Sequence, residues 1–248
     1  MKERVKKIHK NIYSILEKIN FFILWVKKNK RYTLVPPEIG INLGSEYKTN
    51  KYFRGIDGSI LILIMKNKLI PLRLKKFFYM KTCTAEQTSF SEYNNKLKKV
   101  NIIHHNLNYG IPFKENSISF IFSSNFLEHL SEKEGKNLLK ECYRVLKPKG
   151  KIRIIVPDLD DEVEKMKDKI DEYMKDRDVD HLQEYLTFNK RNRNYFSFHK
   201  RMYNFEELRK ILQEEGFKKI KKSKPHEDGF SHIKDFDPSF GLIVQAEK

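Results

Sequence analysis

Five short polar clusters each close an apolar run in this chain, and their residue types suit the cradling of a small polar ligand. Gly44-Ser45-Glu46 follows "IGINL", Asp57 ends "FRGID", and Asn106-Leu107 follows "VNIIHH". Ser124-Asn125 ends "SISFIFSSN", and Pro157-Asp158 follows "KIRIIV". Gly44 has no Cβ, so a ligand can approach its backbone closely. The Asp57 carboxylate can accept hydrogen bonds from a ribose diol. Asn106 has both a donor and an acceptor, the pair that an adenine amino edge requires. Each has a plainer reading too: a strand-ending glycine makes a turn, and Asp57-Gly58 is an ordinary turn pair.

The dinucleotide fingerprint demands three glycines and an acid about 20 residues further on. Here the glycines are too few, Glu46 stands where one is expected, and Asp57 follows too soon. A nicotinamide enzyme is therefore disfavoured. His199 is the candidate general base, against the alternative of a surface histidine in a basic loop. His129 reads as satisfying a local hydrogen bond at a helix end. "PHEDGFSH", Pro225 to His232, holds metal-ligand residue types without a second matched set, so an exposed polar turn is the reading and no metal is expected. Two cysteines, Cys83 and Cys142, can build neither a disulfide framework nor a Cys-rich zinc site. That fits a reducing compartment and a cytoplasmic location.

These clusters need elements to position them. Residues 1–30 read as one helix, with Val5, Ile8, Ile12, Ile15, Ile19, Phe22 and Val26 at three- and four-residue steps between lysines. Such a helix lies on an anionic membrane or a partner, or packs on its own domain. Pro36-Pro37 breaks it from the next unit, giving an N-terminal helix over 1–35 and one domain over 36–248. "SILILIMKNKLIPLRL", Ser59 to Leu74, reads as strand extension or a hairpin. Residues 75–99 show no clean period, and 59–99 reads as an insertion or cover. From residue 100 strands and helices alternate. Ser131 and Glu134 form a capping box that opens a helix, and Pro148 and Gly150 end it. Further helices are expected over 160–185 and from Phe205 to Glu215, with strands at "FKKIKKSK" and "SFGLIVQAEK". The pattern predicts an α/β fold, a mostly parallel sheet with helices on both faces and an antiparallel edge hairpin.

The chain has 248 residues and a net charge of +17, with 39% hydrophobic and 12% aromatic residues. That content supports a core and excludes wholesale disorder. The charge favours anionic partners. The lysines are spread along the chain, which lowers the nucleic-acid reading. No stretch reaches the roughly 18 apolar residues of a membrane span.

"IPFKENSISFIFSSNFLEHL" and "ECYRVLKPKGKIRIIVPD" resemble the Rossmann-like (class I) S-adenosylmethionine-dependent methyltransferases. "HKRMYNFEELRKILQEEGF" looks like the family's later helix, and "INLGSEYKTNKYFRGID" matches the glycine motif of a subgroup with a short first helix. The resemblance covers about 39–58 and 100–220. It implies a doubly wound fold, S-adenosylmethionine as cofactor, and methyl transfer. It places Gly44 and Ser45 on the loop around the methionine part, Asp57 on the ribose, and Asn106 and Leu107 at the adenine. It places Asn125 at the methionine end and the acceptor, and Glu128 and His129 in the recurrent "EHL". Glu46 replaces a glycine, Asn106 an acid and Ser119 an aspartate. The Glu46 carboxylate either pairs with the methionine ammonium or fills the pocket. The interleaved basic and aromatic residues of 186–203 read as a lid over the acceptor. A small or saccharide-linked acceptor is expected, with RNA methylation or a non-catalytic binding role as rivals.

Overall fold

The computed structural model describes residues 2–80, 82, 88–176, 199–225, 227 and 241–248. Its strands are β1 (Gly40–Leu43), β2 (Phe53–Asp57), β3 (Ile102–His104), β4 (Ile118–Ser124), β5 (Leu146–Val156), β6 (Lys218–Lys222) and β7 (Leu242–Glu247). Its helices are α1 (Lys2–Lys27), α2 (Ile60–Lys66), α3 (Leu72–Tyr79), α4 (Phe90–Lys98), α5 (Glu132–Val145), α6 (Leu159–Asp176) and α7 (Phe205–Glu214).

The strands form one sheet in the order β3-β2-β1-β4-β5-β7-β6. β1 to β5 run parallel, while β7 pairs antiparallel with both β5 and β6. The expected mostly parallel sheet with an antiparallel edge is thus present. Strand order reverses at β1 and β4, which leaves a crevice beyond their carboxyl ends. The main core fills the α5 and α7 face of the sheet. Ile41, Ile121, Ile152 and Val244 meet Leu139, Cys142, Val145 and Leu212 there. Ser131 opens α5 with the expected capping box: its Oγ accepts the Glu134 N–H, and Glu134 Oε2 accepts the Ser131 N–H at 2.9 Å.

The strand or hairpin expected over Ser59–Leu74 is not formed; the segment is helical. Ser59 caps α2 by accepting the Leu61 N–H at 3.1 Å. Ile60, Leu61, Ile62, Ile64 and Met65 are all buried. A helix apolar all round carries no 3.6-residue signal, so the run reads like a buried strand. Pro71 then starts α3, and Ser89 caps α4. The seemingly patternless 75–99 region therefore contains the end of α3 and all of α4. These helices build a second apolar cluster around Tyr79, Tyr93 and Tyr47, with ring centroids 4.8 and 5.0 Å apart.

Helix α1 is present, but it turns the expected stripe outward. Ile15, Ile19, Phe22 and Val26 are exposed, as are Phe21 and Trp25; the side chains of Val5, Ile8 and Ile12 lie outside the described ones. The buried side is Asn20 and Leu24. Asn20 Nδ2 donates to the Gly58 carbonyl at 3.0 Å, and its Oδ1 meets His104 Nε2 at 2.9 Å. The helix docks through a polar residue that hydrophobic periodicity does not register, which leaves the apolar stripe on the other side.

Candidate active site

The loop after β1 and the end of β2 are clasped together. Gly44 has φ +62° and donates its N–H to the Ile56 carbonyl at 2.9 Å. A Cβ on Gly44 would lie 2.2 Å from the Phe126 ring, so the ring of the loop after β4 packs directly on this glycine. Glu46, with φ +47°, donates its N–H to Asp57 Oδ2 at 2.9 Å. Asp57 Oδ1 accepts the Ser59 N–H at 2.7 Å. Burial raises the Asp57 pKa, and these two N–H groups oppose the rise. The Ser45 hydroxyl is buried, has no hydrogen-bond partner among the described residues and fills the space that a Cβ on Gly55 would need. Ser45 therefore faces the sheet with its side chain and the crevice with its backbone.

Glu46 is half-buried beside the α3–α4 cluster. Burial raises the Tyr93 phenol pKa, and the nearby Glu46 and Asp57 charges add to the rise. At the end of β3, Asn106 Oδ1 accepts the Asn108 N–H at 2.9 Å and caps a turn over Leu107–Tyr109. Its Cα would lie 3.6 Å from a Cβ on Gly58, so the Asn106 and Asp57 loops adjoin. Asn125 is exposed, has φ +50° and donates its N–H to the Ile155 carbonyl at 2.9 Å. Gly44, Ser45, Glu46, Asp57, Asn106, Leu107 and Asn125 all stand at the carboxyl edge of β1 to β4. A cleft of about 540 Å³ opens to one side, between the Leu107–Tyr109 turn and α5, lined by Arg31, Leu107, Tyr109, Lys133, Glu134 and Arg144. Of the expected site residues only Leu107 lines it.

His199 belongs to a separate group beyond Asn125. Its ring meets that of His129 with centroids 5.1 Å apart. Glu128 lies in the turn after β4 and is 1% exposed, and among the described residues no other residue hydrogen-bonds its carboxylate oxygens. Burial pushes the Glu128 pKa up to about 7 and lowers that of His199, against the pull of Glu162. The Glu128 carbonyl accepts the Lys200 N–H at 2.7 Å and the Arg201 N–H at 3.2 Å. Asp158 and Tyr203 form a parallel bridge, which ties the same segment to the end of β5. One residue escaped the sequence reading, and the role of another was not legible there. Phe126 gave no signal beyond an apolar residue in a loop. Glu128 was read only as part of the recurrent "EHL", and its burial left no mark in the sequence. The expected lid over 186–203 falls mainly outside the described residues, as does most of the Pro225–His232 turn.

Residues 72–154 match the family model described as a methyltransferase domain, from α3 into β5 and without the Gly44–Asp57 clasp. No curated protein matches the chain. Among solved structures, an S-adenosylmethionine-dependent methyltransferase from Thermotoga maritima is 17% identical, covering 87% of this chain and 84% of its own, with a TM-score of 0.46. One from Archaeoglobus fulgidus is 12% identical, covering 94% of both chains, also with a TM-score of 0.46. A Haloferax volcanii methyltransferase, solved with its activator, is 12% identical over 86% of this chain and 84% of its own, with a TM-score of 0.46.

Proposed function

We propose that this chain is a Rossmann-like S-adenosylmethionine-dependent methyltransferase, a reading supported by the methyltransferase-domain match over residues 72–154, and that it transfers a methyl group to oxygen or nitrogen of a small or saccharide-linked acceptor. The observation that carries the cofactor placement is the Asp57 clasp. A buried carboxylate at the end of β2 takes one N–H on each oxygen and keeps further lone pairs. A ribose diol would supply the remaining donors. Asn106 and Leu107 border the adenine side. The Gly44-Ser45 backbone and Glu46 border the methionine end, where the Glu46 carboxylate pairs with the ammonium. Asn125 stands between that end and the acceptor.

The cofactor brings its methyl group already on a sulfonium, a good leaving group. What remains for the protein is to hold an acceptor atom in line, so orientation outweighs acid–base chemistry. A hydroxyl acceptor must also lose a proton. The His199 imidazole, whose pKa partial desolvation lowers against the pull of Glu162, is the group that takes it.

Calorimetric titration with S-adenosylhomocysteine tests the placement. Binding that weakens in Asp57→Ala supports it. Absence of binding at millimolar ligand overturns it and leaves a non-catalytic scaffold. Tight RNA binding with a steep salt dependence would instead favour a nucleic-acid acceptor.

The exposed face of α1 supports a second element of the reading, peripheral contact with an anionic membrane. Ile15, Ile19, Phe22, Trp25 and Val26 point outward, and the Lys28 ammonium sits 5.0 Å from the Trp25 ring. An apolar face flanked by cations suits the headgroup boundary of anionic lipid. Among the described residues no helix is long and apolar enough to cross a membrane.

A further inference from the structure

Among the described residues Glu128 stands out as a carboxylate. It is 1% exposed, and no other described residue hydrogen-bonds either oxygen; only its own backbone N–H favours the charged form. A buried, unpaired carboxylate is costly enough that proteins usually pair it, protonate it or place it on a metal. Lys200 Nζ lies 3.7 Å from Glu134, and Arg201 holds Glu132 and Glu207. What stands next to the Glu128 carboxylate is a pair of imidazoles. One ligand atom each from Glu128, His129 and His199 lies within 4.8 Å of the others.

We propose that Glu128, His129 and His199 form a binding site for a divalent transition cation on the acceptor side of the crevice. Two imidazoles and one carboxylate are a ligand set that Zn²⁺, Mn²⁺ and Fe²⁺ accept. The fold supplies the set from two directions. The turn after β4 gives Glu128 and His129. The segment after residue 198 gives His199, held by the Lys200 and Arg201 N–H groups on the Glu128 carbonyl. Coordination bonds of about 2.1 Å draw the three atoms closer than 4.8 Å, and the exposed His199 is the arm that closes.

Three protein ligands leave positions open for a substrate oxygen. On the methyl-transfer reading, which this consequence rests on, the occupant is an acceptor with adjacent hydroxyls, such as a saccharide diol. The cation would lower the pKa of the bound hydroxyl. His199 would then serve as a ligand, and its proton-accepting task would pass to solvent.

The experiment uses the full chain, stripped with chelator and titrated with Zn²⁺ and with Mn²⁺ by calorimetry, with Co²⁺ absorption as the geometric probe. No methyl donor is needed, so the result is separate from S-adenosylhomocysteine binding. The expected result is one cation per chain, visible Co²⁺ bands, and at least a tenfold weaker affinity in both Glu128→Gln and His199→Ala. Thermal melts confirm that each variant folds, and the exposed His199 keeps the test valid if the buried Glu128 variant does not. Failure of the stripped protein to take up any of the three cations overturns the site. Uptake that His199→Ala leaves unchanged overturns it equally.

Discussion

The Glu46 backbone N–H donates to Asp57 Oδ2 at 2.9 Å, joining the loop after β1 to the end of β2. Glu46 is in the left-handed region, at φ +47°, when it makes this bond. The residue that departs from the glycine pattern thus takes the backbone shape a glycine would supply. The departure changes the side chain and keeps the turn. Asp57→Asn, which leaves one oxygen for the two clasp N–H groups, should loosen the clasp and weaken S-adenosylhomocysteine binding by about tenfold or more, from the loss of at least one hydrogen bond to a charged group worth about 1.5 kcal/mol. Calorimetry checks it, and unchanged affinity would remove Asp57 from the ribose site.

The Glu46 side chain is tested separately. If its carboxylate grips the methionine ammonium, Glu46→Gln should weaken S-adenosylmethionine binding by about tenfold or more. If the carboxylate closes the pocket, the same variant should bind more tightly. The sign alone decides between the two readings.

Gly44 is required by both its φ of +62° and the Phe126 ring on its Cα. Gly44→Ala should cost about 2 kcal/mol or more through backbone strain and overpacking. Urea unfolding measures the loss. Adding Phe126→Ala should relieve the ring's share of the overpacking and leave the strain and the 2.8 Å contact with the Cβ of residue 126, so the double-mutant cycle should show coupling. Additive losses would mean that the ring does not press on the glycine.

The sheet was largely legible because its strands end at turn residues and alternate with helices. β2 lies where Phe53–Asp57 was read, and Ser131 with Glu134 opens α5 as its spacing indicates. Ser59–Leu74 misled because a helix buried all round has the composition of a buried strand. The stripe on α1 misled in a different way. Amphipathic spacing identifies an apolar face and not what covers it, and here Asn20 decides which side docks. The crevice residues could be listed from strand ends, whereas the meeting of Glu128 with His199 spans two distant loops that no local spacing connects.

The exposed side of α1 makes a fluorescence prediction. Trp25 is the chain's single tryptophan and is 49% exposed. Anionic vesicles should shift its emission to the blue, and the shift should weaken with salt as the lysine contribution is screened. Phe22→Asp should reduce it. No shift with anionic vesicles would leave the stripe without a lipid role.

The anchor of α1 also sets a pH dependence. Burial, with the Lys27 charge adding, holds the His104 pKa down at about 4 against an ordinary 6.5. As pH falls from 6.5 towards 4, the unfolded chain gains a proton that the native His104 refuses, so stability rises with pH across this window. The contribution is therefore fully present above about pH 6.5 and is lost as the solution is acidified. Burial lowers the neighbouring His105 as well, with the same sign. Urea midpoints at pH 7.5 and pH 5 measure the combined loss. His104→Asn should flatten the pH slope while keeping a polar partner for Asn20 Oδ1. An undiminished slope would mean that His104 is charged in the native state and that its bond to Asn20 tolerates the extra proton.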